Sequence, residues 1–322
     1  MQNHQLVKSI LVLLAVLGCS LPSTGITQDK IQTEAFSIQE NSSFLDMIDD
    51  QPYEEMHAPE GATLFRWDFS EKKEYSYNFN QKVTTQNLMN SFGPGGKDTV
   101  SAQNMTGNGI LSYKSKGDKT ARFVLENLII KSEHSVEGSE TSPKTMEMKS
   151  PPMIIQGVNE DGNLSIPSSS QTLLLKLLFP LPAQQMKVSE TIQNEANMPF
   201  NAMGSLLYVK GHSKITLTKY LEINGQKCAK FTSDIDISKM DIPPEMEGKY
   251  VALARGKSVF YFDVDNRKFV SGKLALLMVM DIEAKSPKMK FSDDKEKSEK
   301  MTETIKMAMN SDNLITLSII EK

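Results

Sequence analysis

The sequence predicts a mainly β fold with a minor α+β component: long antiparallel hairpins forming a curved sheet or half-barrel, with one or two short helices. Three observations predict it. Apolar and aromatic residues alternate with polar ones at period two through most of residues 62–322, the pattern of half-buried strands. Turn dipeptides such as Asp161-Gly162 and Asn224-Gly225 separate the alternating runs. One stretch, residues 167–182, breaks the alternation with a continuous Leu-rich run closed by Pro180, and a short buried helix with a Ser at its start accounts for it.

The first element is a leader. Lys8 precedes the apolar run Ile10 to Leu17, and small residues follow in GCSLPSTG. That is the layout of an export signal, and the run is far short of the ~20 residues a membrane-spanning helix needs. Two cleavage readings are open. Residues 1–25 form an ordinary signal peptide, or residues 1–18 form a lipoprotein signal, with VLGC as a lipobox-like string and Cys19 as the lipidated residue. In the second reading a lipidated Cys19 attaches the protein to a membrane, and more than one acyl chain makes such an anchor stable. The expected location is outside the cytoplasm: the periplasm, the outer membrane or cell surface through the lipid, or the secreted fraction.

Residues 26–61 are polar and acidic and read as a flexible leader or tether. Phe44, Met47 and Ile48 share helical spacing, so a short helix over residues 43–48 is expected there. The β-rich domain then occupies 62–322, either as one unit or as two similar halves, 62–166 and 205–322, joined by 167–182. In TLFRWDFS, Phe65, Trp67 and Phe69 form one face of a strand and Leu64, Arg66 and Asp68 the other. Tyr75, Tyr77 and Phe79 begin the next strand. A Lys116-Gly117-Asp118 turn joins two further strands, and a hairpin turns at residues 159–162. Later hairpins turn at Asn224-Gly225 and Asp265-Asn266. The final run is expected as two strands around a turn after Met309, giving about ten to fourteen strands in all. Ala121 with Phe123, and Ala229 with Phe231, stand 108 residues apart in similar surroundings, which suggests an internal repeat.

Composition narrows the chemistry. Lys plus Arg number 36 against 40 Asp plus Glu, a formal net charge of −4, a balance that excludes a strongly basic nucleic-acid binder. Two Cys exclude a disulfide scaffold and a thiolate zinc site, because Cys19 belongs to the leader and Cys228 reads as a small core residue. His57, His134 and His212 are scattered, no G-x-S-x-G surrounds a Ser, and no His pair has i, i+4 spacing. FGPGGKDT lacks P-loop spacing, and Asp263-Val264-Asp265-Asn266 lacks the Gly and Glu of a calcium loop. The expectation is a non-enzymatic protein with no catalytic residues, no metal and no cofactor. Its partner would be an apolar ligand or another envelope protein. Leu174, Leu177, Leu178, Leu276, Met278, Met280, Met307 and Met309 are the candidate ligand-facing residues, since Met-rich surfaces adapt to varied apolar shapes.

The signal with Cys19, the pair FRWDFSEKKEYSYNF, the GNGILSYK hairpin and PPMIIQGVNEDG before a Leu/Pro-rich segment together resemble a family of bacterial exported proteins classed as a domain of unknown function. The resemblance spans about residues 62–320, and its motifs carry over no functional residue. At the level of fold alone, long hairpins with a covering helix look like the periplasmic lipoprotein-carrier half-barrels, which implies an open sheet whose concave face takes a helix or an apolar ligand.

Overall fold

A computed structural model describes residues 53–90, 98–136, 144–164, 175–202, 205–244, 246–285 and 304–320. They form one antiparallel sheet of twelve strands: β1 (Glu54–Met56), β2 (Glu74–Asn90), β3 (Asp98–Ser115), β4 (Thr120–Val136), β5 (Lys144–Lys149), β6 (Met153–Asn159), β7 (Thr191–Ala202), β8 (Ser205–Ile223), β9 (Gln226–Met240), β10 (Gly248–Asp263), β11 (Lys268–Lys285) and β12 (Thr304–Ile319). The main order is β1-β8-β9-β10-β11-β12-β2-β3-β4-β5, with β7 also on β8 and β6 also on β4. Two meanders, β8–β12 and β2–β4, therefore join where the last strand pairs with β2, from Met307↔Met89 to Ile319↔Tyr77. The two edges are not paired with each other, so the sheet is open, as the sequence predicts.

Alternation sets the two faces. In β4 the pattern buries Ala121, Phe123 and Leu125, then skips a position to bury Leu128 and Ile130. The skip is a bulge between Asn108/Ile110 of β3 and Glu126/Ile129 of β4, and Asn127 sits there at φ 54°, a left-handed conformation Asn tolerates. Asn224 and Gly225 turn at φ 52° and 73°, the hairpin chemistry the sequence announces. The Asp263 carboxylate accepts the N–H groups of Asp265 and Asn266, at 3.1 and 2.9 Å, and closes the β10–β11 turn.

Several sequence expectations need correction. The run Phe65–Phe69 alternates as expected but is not a sheet strand. It crosses the concave face as an extended segment, bridged at one end through Thr63 and Met186 and bonded in the middle from Trp67 N–H to the Glu160 carbonyl at 2.8 Å. Period-two burial arises here because the face under it is aromatic, not because ladder partners flank it. Phe65 packs edge-on against Phe231 and Phe262; Trp67 meets Phe69, Tyr113, Phe123, Phe179 and Phe269.

The Leu-rich stretch contributes a single helical turn at 175–178 among the described residues, with Phe179 N–H bonded to the Leu175 carbonyl at 2.8 Å just ahead of Pro180. The turn at 159–162 forms, and among the described residues its second arm joins the first through the isolated bridge Val158↔Leu164 rather than a strand. β5 and β6 instead lie one after the other along β4, divided at Pro151-Pro152, which lack ladder donors. The expected turn after Met309 is absent, and β12 runs unbroken. Ser311 and Asn313, which read as turn residues, face inward and satisfy one another: Ser311 Oγ lies 3.0 Å from Thr85 Oγ1, and Asn313 Nδ2 donates to Ser311 Oγ at 3.2 Å. His134 lies in β4.

Candidate functional site: a methionine-lined concave face

Register decides which side chains share the concave face. Directly paired residues of neighbouring strands project to the same side. Met280 pairs with Met309, Ile282 with Met307, Met278 with Ser311 and Leu276 with Asn313. The structure thus brings five of the candidate residues, Leu276, Met278, Met280, Met307 and Met309, onto one face of two adjacent strands. Leu276, Met278 and Met309 are buried; Met280 and Met307 are half-buried and pack with Leu207, Tyr250, Ile282, Met240 and Met246.

Further methionines lie on the same face. Met198 of β7 is buried, Met105 of β3 packs on the core, and Met148 of edge strand β5 pairs with inward-facing Ile130 and is exposed, as is Met146. Single-strand alternation could have marked each of these as facing inward or outward. Their convergence needed the strand order, which joins β12 to β2 across more than 200 residues.

The concave face is also uncharged over its central strands. Inward positions 207–217 of β8, 229–237 of β9, 250–262 of β10, 272–282 of β11 and 307–317 of β12 hold only apolar, small or hydroxyl and amide side chains. Such a face offers hydrophobic contact and no counter-charge. No cluster of His, Cys, Asp or Glu able to hold a metal occurs among the described residues.

The other candidates sit elsewhere. Leu177 and Leu178 lie in the helical turn and are buried in the aromatic part of the core, and Leu174 lies outside the described residues. Leu178 and Leu175, with Phe79, Leu111, Leu125, Met153 and Ile155, line a cavity of about 10 Å³. That is room for about one water and none for an acyl chain. No inward methionine of β11 or β12 lines it. Cys19 lies outside the described residues. Cys228 is fully buried, and burial pushes its thiol up to about 12, so it stays protonated and unreactive near neutral pH.

One end of the concave face is sealed by the segment 63–69. Arg66 donates to the carbonyls of Pro182 and Ala183, both at 2.8 Å, and so ties that segment to the chain leaving the helical turn. Phe69 N–H reaches the Glu160 carboxylate at 3.4 Å.

No family model and no curated protein matches this chain. Among solved structures, the secretin XcpQ of the type II secretion system of Pseudomonas aeruginosa aligns at 11% identity over 77% of this chain and 57% of that chain, with a TM-score of 0.17. The β-barrel of the InvG secretin domain from the Salmonella SPI-1 injectisome aligns at 10% identity over 78% and 64%, with a TM-score of 0.13. The chain spans less than two thirds of the length of either, and scores this low carry no inference about function.

Proposed function

We propose that this is an exported, non-enzymatic envelope protein that holds an apolar ligand, an acyl chain or similar molecule, on the methionine-lined part of its concave face. The observation that carries the reading is the uncharged inner face of β8–β12 with Met278, Met280, Met307 and Met309 at one end. Methionine side chains are unbranched and polarizable, so they fit varied apolar shapes. In this reading Cys19 is the lipidated residue and the leader is the tether, which keeps the protein at a membrane outside the cytoplasm. The similarity to exported proteins of a domain-of-unknown-function family and to lipoprotein-carrier half-barrels belongs with this proposal.

The test is native mass spectrometry of the purified mature protein, followed by lipid extraction and displacement of a bound fluorescent fatty acid. A co-purifying apolar molecule and dye binding weakened at least tenfold by Met280→Glu with Met309→Glu support the proposal. A protein that carries nothing and binds no dye overturns it. Palmitate labelling of wild type and Cys19→Ala tests the anchor, and equal labelling of both rules it out.

A second reading is a structural or interaction protein with a closed core. The aromatic packing of Trp67 and the water-sized cavity favour it. Absence of ligand together with capture of a specific envelope protein would decide for it.

A further inference from the structure

The side chains that point into the concave face change character across the sheet. Register fixes one continuous row, because directly paired residues project to the same side. From edge strand β5 the row runs Lys144, His134, Gln103, Thr85, Ser311, Met278. It begins with two side chains able to carry positive charge, passes an amide and two hydroxyls, and ends on a thioether. The next row, on the side away from the sealing segment 63–69, repeats the change: Ser101 and Asn87 lead to Met309 and Met280.

The two cations stand out on this face. The other inward positions of 75–87 in β2, 99–115 in β3 and 121–136 in β4 are aromatic, aliphatic, thioether, glycine, hydroxyl or amide, and the central strands β8–β12 are uncharged as described above. The acids nearest them on β4 and β5, Glu133 and Glu147, project outward, where Glu147 pairs with Lys131 at 3.5 Å. Lys144 and His134 therefore face no carboxylate of the sheet among the described residues.

The polar part of the face is open. Thr85 and Ser311 are buried and bond each other, but His134, Gln103 and Asn87 are half-buried and Lys144 is exposed. Met146 and Met148 share the inward side of β5 with Lys144 and are 63% and 42% exposed. An ammonium flanked by two exposed thioethers offers charge and apolar contact at one place, and exposed apolar groups beside a concave face mark a binding surface. From His134 on β4 to Met309 on β12 is three strand spacings, about 14 Å, which a dodecyl chain spans.

We propose that the ligand of this face is an anionic amphiphile. Its acyl chain lies over Met309 and Met280, and Lys144 and His134 hold its carboxylate or phosphate head, with Gln103 and Asn87 at the junction. This inference rests on the apolar-ligand reading above and adds the sign and the place of the head. A few placed polar groups at one side of an apolar site are what orient a ligand in it. An uncharged ligand leaves both cations unused.

The experiment is displacement of a neutral naphthylamine probe from the purified full chain by dodecanoate, dodecyl phosphate and dodecanol, which share one chain and differ in the head. At low ionic strength at least one of the two anions is expected to displace the probe at a concentration at least tenfold below that of dodecanol, and the tighter of the two names the head. High salt should shrink that advantage, because the cations lie near solvent. His134→Gln combined with Lys144→Gln should abolish it, with dodecanol binding and circular dichroism unchanged. Equal displacement by all three compounds overturns the inference and leaves the apolar-ligand reading standing. An anion advantage that survives the double substitution places the head elsewhere and also overturns it. Displacement by acetate or inorganic phosphate, which have no chain, overturns it as well. A protein that binds neither the probe nor any of the three overturns both readings together.

Discussion

The guanidinium of Arg267 holds the backbone beneath Trp67: its Nη2 donates to the Trp67 carbonyl at 3.0 Å and its Nε to the Arg66 carbonyl at 3.2 Å, while the Arg267 carbonyl accepts Asp68 N–H at 3.3 Å. A residue of the β10–β11 turn thereby fixes a segment 200 residues earlier across the end of the concave face. Arg267 sits at φ 52°, and the turn positions it to face back over the sheet.

Arg267→Met removes both side-chain bonds and leaves two carbonyls to find water. Hydrogen bonds from a charged donor contribute about 1.5–3 kcal/mol each, and partial exposure discounts this, so a loss of about 2 kcal/mol is expected. Trp67 is the only tryptophan of the chain, which makes its emission a specific reporter of the crossing segment. Urea titration should show a lower midpoint and a red shift of Trp67 emission at or before the loss of β-sheet signal. An unchanged midpoint would show that aromatic packing alone holds the segment.

Glycine at position 272 is required by the core. A Cβ built there would lie 1.9 Å from Cδ1 of the buried Phe260 ring, so even alanine forces the ring to shift. Gly272→Val should cost about 3 kcal/mol or more, in the range of overpacked cores. Gly225→Ala is the matched control. Its Cβ would meet nothing within 4 Å, and its φ of 73° carries only the left-handed backbone cost of about 1–2 kcal/mol. Thermal unfolding of the two variants should therefore differ clearly, with Gly272→Val the less stable.

These positions show how much of the molecule is legible from sequence. Strand faces were, because period-two burial follows from the pleat: Phe65, Trp67 and Phe69 were paired on one face correctly. Their role was not, because alternation reports burial and says nothing of ladder partners. The turn at Asn224-Gly225 was legible because few other dipeptides adopt its dihedrals. Ser311, Asp312 and Asn313 misled, since polar residues favour turns locally and only the neighbouring Thr85 and Leu276 reveal that a sheet satisfies them. The methionine face was half legible. Met278 and Met280 alternate within one strand, whereas Met148 and Met198 join them only through a strand order that short-range pattern does not contain.

Acid should weaken the hinge between the crossing segment and β2. Lys73 donates to Asp68 at 2.5 Å, and that bond, helped by Ser70, lowers the Asp68 pKa from 3.8 to about 2. A depressed folded-state pKa contributes stability that is present above the unfolded value and lost as pH falls through the folded value. The contribution should be complete above about pH 5 and disappear between about pH 4 and 2. After solvent screening of a pair this near the surface it is about 1–2 kcal/mol. Asp68→Asn should lower stability at pH 7 by that amount and have little effect at pH 2. A wild-type to mutant difference that is independent of pH would contradict the pairing.

The inward polar group of β2 and β12 makes the last prediction. Thr85, Ser311 and Asn313 are buried, Ser311 bonds Thr85 at 3.0 Å, and Asn313 Nδ2 reaches the Leu276 carbonyl at 3.4 Å as well as Ser311. Ser311→Ala strands the buried Thr85 hydroxyl, while Asn313 Nδ2 keeps the Leu276 and Ser311 carbonyls, and should cost about 1–3 kcal/mol, the desolvation penalty of an unmet partner. Replacing all three with apolar groups of similar shape, Thr85→Val, Ser311→Ala and Asn313→Leu, removes the groups that would be stranded. The triple variant should therefore be more stable than Ser311→Ala alone, despite carrying two more substitutions. Chemical denaturation across the set of single and multiple variants measures the coupling directly. Purely additive losses would mean that the three side chains act independently and that β12 stays continuous through this point by pairing with β2 and β11 alone.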